Sequence, residues 1–288
     1  MNTLQFSKMQ SAGNDFIVFW AQQLPKNAAD LAVKLCDRHF GIGADGLLWA
    51  LPSAKANIRM AVFNADGSEA QTCGNGIRAL AKFVVENGHV TPVNNMLTIE
   101  TKAGISNIDL IYSKDQITSM EVSMGQPFLN PSTVPVETVK GLGEIVNLLT
   151  AKYPVCVDEL QMGMAFVGMG NPHAVYFQDK AVAHFPLERI GPKVEKLSIF
   201  PQRTNFEVAR ILTPNEIEVR IWERGVGETL ACGSGACAVA VAAMLLGLTK
   251  HKVTVKVPGG DLTVSWDGAG DVYLCGPSEF VYSGTINI

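Results

Sequence analysis

Two of the six cysteines in this 288-residue chain stand in matching surroundings. Thr72-Cys73-Gly74-Asn75-Gly76 and Ala231-Cys232-Gly233-Ser234-Gly235 each lead from a loop into an apolar run of helical character. A cysteine at a helix start, followed by glycine, lies beside backbone N–H groups that have no partner within the helix. Those donors and the helix dipole bind an anion such as a carboxylate. The same field draws a thiol pKa down from about 8.5 toward neutrality. One such cysteine suggests a nucleophile. Two suggest an acid and a base that meet one carbon from opposite faces: a thiolate removes an α-proton, the opposite thiol delivers one, and reversal exchanges the roles. A lone C-G-x-G before an apolar helix reads as a packed core cysteine, and two copies in register reverse that reading.

The match extends past the cysteines. Four residues upstream lie Glu69 and Glu228, and nine upstream lie Asn64 and Glu223, each after two apolar residues. Further back, Gly13-Asn14 has a counterpart in Gly170-Asn171, with Val18 and Val175 four residues on; the Asn-to-Cys intervals are 59 and 61 residues. A period this long is no solenoid unit. It predicts two homologous lobes, each presenting the same loop, with a cleft between them. His173 lies in the second copy's turn, where it is expected to border that cleft. Cys237 points ~140° away from Cys232 on a helix and is assigned to the core, as are Cys36, Cys156 and Cys275. The glycine-rich run Gly41 to Gly46 has neither G-K-[ST] nor a full G-x-G-x-x-G and reads as a turn.

These loops need elements to hold them. Strands are expected at 16–19, 57–63, 96–101, 105–112, 118–124, 253–257, 261–266 and 272–274. Helices are expected at 28–39, 77–86 and 235–248, the second closed by Asn87-Gly88. Gln126 to Pro135 reads as a linker. Hydrophobic residues make up 47% and charged residues 17%, an ordinary globular balance. The net charge of −4, without basic clusters, argues against nucleic acid and anionic membrane as partners. No signal-peptide pattern opens the sequence, and the run 236–248 falls short of the ~20 residues that span a bilayer. A cytoplasmic protein with reduced thiols is therefore expected. The cysteine spacing disfavours zinc, and no metal is expected.

Phe63 to Glu69 running to Cys73-Gly74-Asn75-Gly76, and Glu223-Arg224-Gly225 running to Ala231-Cys232-Gly233-Ser234-Gly235, resemble the two cysteine motifs of the diaminopimelate epimerase family. The stretches 8–16, 38–48, 170–173 and 203–206 match that family in order, so the resemblance covers essentially the whole chain. It implies an α+β fold of two pseudo-symmetric lobes, each a curved, mostly antiparallel sheet around a central helix, with the active site in the cleft. The expected division is 1–124, completed by 277–288, against 125–276. The resemblance further implies conversion of LL-diaminopimelate to the meso form, on the route to lysine and peptidoglycan, without pyridoxal phosphate, metal or any other cofactor. Cys73 and Cys232 become the acid/base thiols. The amides at Gly74-Asn75 and Gly233-Ser234 cradle the reacting carboxylate. His173 and Glu223 orient or tune the thiols, while Asn14, Asn64, Asn171, Asn205 and Arg224 hold substrate. The chain departs from the pattern at Gly46, where some members carry a substrate-touching glutamine. The small-molecule substrate is the expected partner; oligomeric state is not fixed by the residues, and the resemblance allows a homodimer.

A proline-racemase-like enzyme shares the paired thiols, but its small substrate needs no distal set such as Asn64, Asn205 and Arg224. An isomerase of the phenazine-biosynthesis type lacks the two thiols. A binding protein that captures an amino acid without chemistry, and a metal or redox protein, are the readings from other classes.

Overall fold

A tight hairpin opens the fold. Ala12 and Gly13 both take positive φ (51° and 81°), the backbone of a two-residue turn that follows the strand twist. The turn pairs the strand Thr3–Ser11 with Asn14–Trp20 and sets Asn14 at the tip. The computed structural model describes residues 3–287, which divide into one unit of 3–123 with 275–287 and a second of 124–274.

In the first unit Asn14–Trp20 runs parallel to Gly46–Leu51, which lies antiparallel to Ile58–Asn64. The last of these runs parallel to Met96–Thr101, followed by Gly104–Ser113 and Gln116–Ser123 in antiparallel order. Glu279–Asn287 pairs on the other side of Thr3–Ser11. The two parallel joins require crossovers, supplied by α1 (Ala28–Cys36) and α2 (Gly74–Glu86). Strand alternation turns Ile17, Phe19, Leu47 and Trp49 into the cluster containing α1, whereas Leu48 lies against the first turn of α2.

The second unit repeats this plan strand for strand. Leu160–Gly168 pairs antiparallel with Pro172–Phe177, which runs parallel to Asn205–Thr213; Glu216–Glu223 follows antiparallel and itself runs parallel to Lys252–Val257. The crossovers are α3 (Leu187–Glu195) and α4 (Gly233–Leu245). Eleven of the 13 residues of α4 are buried, as a helix apolar on every side must be, and strands 160–168, 172–177, 205–213 and 216–223 pack around it. The expected α+β class with two related halves is the observed one.

Several expected boundaries move for local reasons. The first helix ends at Cys36 rather than His39, because Asp37 turns extended and its carboxylate accepts the N–H groups of His39 and Phe40, each at 2.7 Å. Both glycine-led helices start earlier than expected, directly after the cysteine. Gln126 to Pro135 is no free linker: Phe128 pairs with Gly168 and Val134 is fully buried. Cys156 is not in the core, since the alternation of Tyr153–Val157 turns it outward. Cys36 and Cys237 are buried as expected, and Cys275 is half-buried. No helix among the described residues is long and apolar enough to cross a membrane.

One charged network underlies the opening hairpin. Lys8, 5% exposed, meets the Gly43 carbonyl and lies 2.6 Å from Asp15, which Arg38 grips with both nitrogens at 2.8 and 3.1 Å. Burial alone would raise the Asp15 pKa; the Arg38 and Lys8 hydrogen bonds overcome it and hold the carboxyl far below its ordinary value. A depressed carboxyl stabilises the fold above its unfolded pKa, and that contribution is lost as pH falls through the lower folded value. Asp15→Asn is therefore expected to cost about 3 kcal/mol at neutral pH in urea denaturation. The gap from wild type should narrow as the pH is taken below ~4.

Candidate active site

Each cysteine motif caps its helix. Cys73 takes extended backbone angles (φ −152°, ψ 111°) as N-cap of α2, and its Sγ accepts the Gly76 N–H at 3.4 Å. Cys232 does the same for α4 (φ −125°, ψ 116°), with Sγ 3.4 Å from Ser234 Oγ. Glycine eases the packing behind each sulfur. A Cβ on Gly76 would lie 3.2 Å from Leu48, and one on Gly235 would lie 3.0 Å from Glu207.

The first unit gathers Cys73, Asn75 and Asn14. Asn75 is buried; its Oδ1 accepts from the wholly buried Arg78 at 2.7 Å, and its Nδ2 donates to Asn14 Oδ1 at 3.4 Å. Asn14 Nδ2 in turn donates to Asp45 at 3.0 Å, which Arg38 also holds. Asn64 ends its strand exposed, its amide donating to Ser68 Oγ at 2.9 Å. Gly46 is closely packed: a Cβ there would lie 3.0 Å from the Phe63 carbonyl and 3.4 Å from the Phe16 ring.

The second unit gathers Cys232, His173, Asn171, Asn205, Glu223 and Arg224. His173 is fully buried, with Nδ1 2.6 Å from Glu207 and Nε2 2.8 Å from Asn171 Oδ1. Asn205 stands across from His173 in the parallel ladder. Its Oδ1 accepts the Arg224 backbone N–H at 2.9 Å, while its buried Nδ2 has no hydrogen-bond partner among the described residues. Arg224 donates to the Gln202 carbonyl, and Glu223 accepts from Thr229 Oγ1 at 2.7 Å. Asn171, Arg224 and Gln202 line a pocket of about 280 Å³ with Ser132 and Thr133. A larger cavity, about 650 Å³ beside Tyr176 and His184, contains none of these residues.

The sequence led us to expect depressed thiols, and Cys232 departs from that. Burial pushes its pKa well up, and the Glu223 carboxylate adds to the rise; Ser234 and the Gly235 N–H offset only part. Enclosure outweighs the helix field there, so Cys232 rests as the neutral thiol. Burial likewise lifts Cys36 to about 12, which makes it inert. Among the described residues, no three His, Cys, Asp or Glu side chains cluster as a metal would require.

The diaminopimelate epimerase family profile matches residues 6–129 and 165–281, which include both cysteine motifs. The chain is a member of that family. It is 42% identical to the diaminopimelate epimerase of Acetivibrio thermocellus, over 99% of both chains. Its fold resembles that of a phenazine biosynthesis protein of the PhzF family from Bacillus anthracis (TM-score 0.74, 18% identity, 100% of both chains). It also resembles a probable proline racemase from Agrobacterium radiobacter (TM-score 0.72, 12% identity, 99% of this chain and 93% of the other).

Sequence reasoning passed over four groups that hold the candidate residues: Glu207 behind His173, Arg78 behind Asn75, Asp45 behind Asn14, and Glu195. The Glu195 carboxylate accepts from Trp222 Nε1 at 2.8 Å and the Gly225 N–H at 3.0 Å, pinning the turn that carries Glu223 and Arg224. A legible signal existed for Arg78, a charge in the otherwise apolar stretch from Ile77 to Ala81.

The two thiols should differ in reactivity. With limiting iodoacetamide at neutral pH, half-buried Cys73 is expected to alkylate at least ~10-fold faster than buried, protonated Cys232. Peptide mapping separates both from exposed Cys156; equal rates would contradict the ordering.

Proposed function

We propose that this family member interconverts LL- and meso-diaminopimelate by a two-base mechanism in which Cys73 and Cys232 meet the substrate's α-carbon on opposite faces. The observation that carries the reading is the duplicated N-cap cysteine, which supplies two thiols, each at the N-terminus of a buried helix, for one amino acid. The resting neutrality of Cys232 makes it the acid that enters the cycle. The thiolate of Cys73 then takes the α-proton as Cys232 gives its own to the other face; proton and charge balance, and the reverse reaction exchanges the roles. The Gly74, Asn75, Gly233 and Ser234 amides receive the reacting carboxylate, whose charge grows in the transition state. The α-proton is far less acidic than a thiol, so water exclusion and the focused field must cover the difference.

The rest of the set suits the second amino-acid head. Arg224 offers a planar fork for a carboxylate, and the bare Nδ2 of Asn205 is a buried donor that awaits an acceptor. His173 and Glu223 tune or orient the Cys232 side, and Asn14, Asn64 and Asn171 complete the binding groups. The reaction needs no metal or pyridoxal phosphate, and its dependence on reduced thiols fits a cytoplasmic enzyme on the lysine and peptidoglycan route. A homodimer is the proposed assembly, with the family as its support.

Cys73→Ala and Cys232→Ala should each abolish epimerisation with the fold retained, while Cys237→Ala leaves it near wild type. Full activity in either of the first two would end the two-base reading. Lysine and proline should be rejected by ~10⁴-fold or more in kcat/KM, because an empty distal subsite leaves buried polar groups unpaired. Arg224→Ala should weaken both binding and turnover of diaminopimelate. Comparable wild-type values for proline and diaminopimelate would overturn the substrate assignment.

A further inference from the structure

The two units follow one plan, and at one place they fill it with opposite chemistry. In the first, Phe16 lies across from Gly46, and Leu48 is two residues further on. In the second, His173 lies across from Asn205, and Glu207 is two residues further on. The space confirms the correspondence, because Leu48 lies against Gly76 of α2 as Glu207 lies against Gly235 of α4. Phe16 and Leu48 are 3% and 0% exposed, so the plan folds with an apolar pair behind the N-cap cysteine. His173 and Glu207, both fully buried, put an imidazole and a carboxyl there instead. Such a substitution costs stability relative to an apolar pair of similar volume. The fold does not require it.

Proton placement shows what the pair accomplishes. The contact of His173 Nδ1 with Glu207 Oε1 at 2.6 Å holds one proton, whichever partner carries it. His173 Nε2 lies 2.8 Å from Asn171 Oδ1, and an amide oxygen donates nothing, so Nε2 carries the second proton. The pair is then net neutral. The opposite orientation of the Asn171 amide would leave Glu207 either anionic against a neutral imidazole or protonated at Oε2, and in a space closed to water that atom has no hydrogen-bond partner among the described residues in either form. Burial also raises the Glu207 pKa against the opposing pull of His173, which favours the shared proton.

We propose that Glu207 is a positioning residue for substrate binding: through His173 it consumes the oxygen of Asn171, turning the Asn171 amide nitrogen toward the pocket as a fixed donor for a carboxylate. The pocket that Asn171 shares with Arg224 thereby faces its ligand with donors. The residue acts through two others and touches no substrate. The inference rests on the proposed reading of that pocket as a carboxylate subsite.

Five variants and one spectrum test it. The double variant His173→Phe/Glu207→Leu, which copies the apolar pair of the first unit, should fold with a Tm at or above wild type. A Tm well below wild type would assign the pair to folding and overturn the proposal. Glu207→Gln should stay close to wild type in kcat/KM, because the new amide can donate to His173 Nδ1. Glu207→Leu should lower kcat/KM for diaminopimelate by about 10- to 100-fold, mainly through KM, as expected for one lost hydrogen bond to a charged group held equally in ground and transition states. In an Asn171→Ala background Glu207→Leu should have no further effect, and the same loss in both backgrounds would refute action through Asn171. The spectrum needs no substrate: in protein with nitrogen-15-labelled histidine, one of five rings, His173, should be protonated at Nε2 without ligand. A bare Nε2 would overturn the proposal even with full activity, whereas a protonated Nε2 in an inactive protein would fault only the functional reading.

Discussion

A buried helix cannot leave its first N–H groups without acceptors, and in each unit a cysteine holds the residue where that demand falls. The glycines that follow are what make the arrangement possible. A Cβ at Gly76 or Gly235 would press on side chains of the strand behind, Leu48 in one unit and Glu207 in the other, so glycine lets the helix start close to that strand. The apolar bodies of α2 and α4 anchor each N-terminus from below, since most of their residues are buried. Strand ends then bring the remaining polar groups to the same edge: Asn14 and Asn64 in one unit, Asn171, Asn205 and Glu223 in the other. The chemistry proposed for this chain follows from that one constraint, met twice.

Duplication supplies two thiols, and divergence makes them unequal. Cys73 is half-buried in front of Leu48, whereas Cys232 is buried beside Glu207 and Glu223 and held protonated. The supporting groups differ in the same sense. Asn14 donates an amide N–H to Asp45, while the Asn171 amide oxygen accepts a hydrogen bond from His173 Nε2. Gly46 stands where the second unit has Asn205, so the contact that a glutamine makes in some relatives has no counterpart in side chain here. A substrate with two chemically similar heads, of which only one reacts, suits a pair of halves that share a backbone and differ in lining.

Much of this was legible before any coordinates. The repeat around Cys73 and Cys232 revealed two related halves because loop motifs that meet a ligand carry unusual residue types at fixed spacing. The supporting residues were less visible. Glu207 follows Asn205-Phe206 in a strand whose pattern is set by burial on both faces, and only the contact with His173 distinguishes it from a solvent-facing acid. Lys8, Asp15 and Arg38 pair over sequence distances that periodicity does not register. Cys156 was misplaced because a lone alternating strand does not reveal which face is covered. The depressed thiol expected at Cys232 failed for a related reason: motif spacing reports the helix field and is silent about enclosure, which prevails.

The central claim is that two different groups serve the two faces of the α-carbon, and isotope placement addresses it directly. Wild-type protein is given LL-diaminopimelate in D₂O, and both isomers are examined by mass spectrometry before a tenth of the substrate has turned over. Two thiols predict one α-deuterium in the meso product and none in the remaining LL substrate, because the abstracted proton and the delivered deuteron reside on separate sulfurs. Deuterium appearing equally in recovered substrate and product would mean that one group serves both faces, and it would contradict the account.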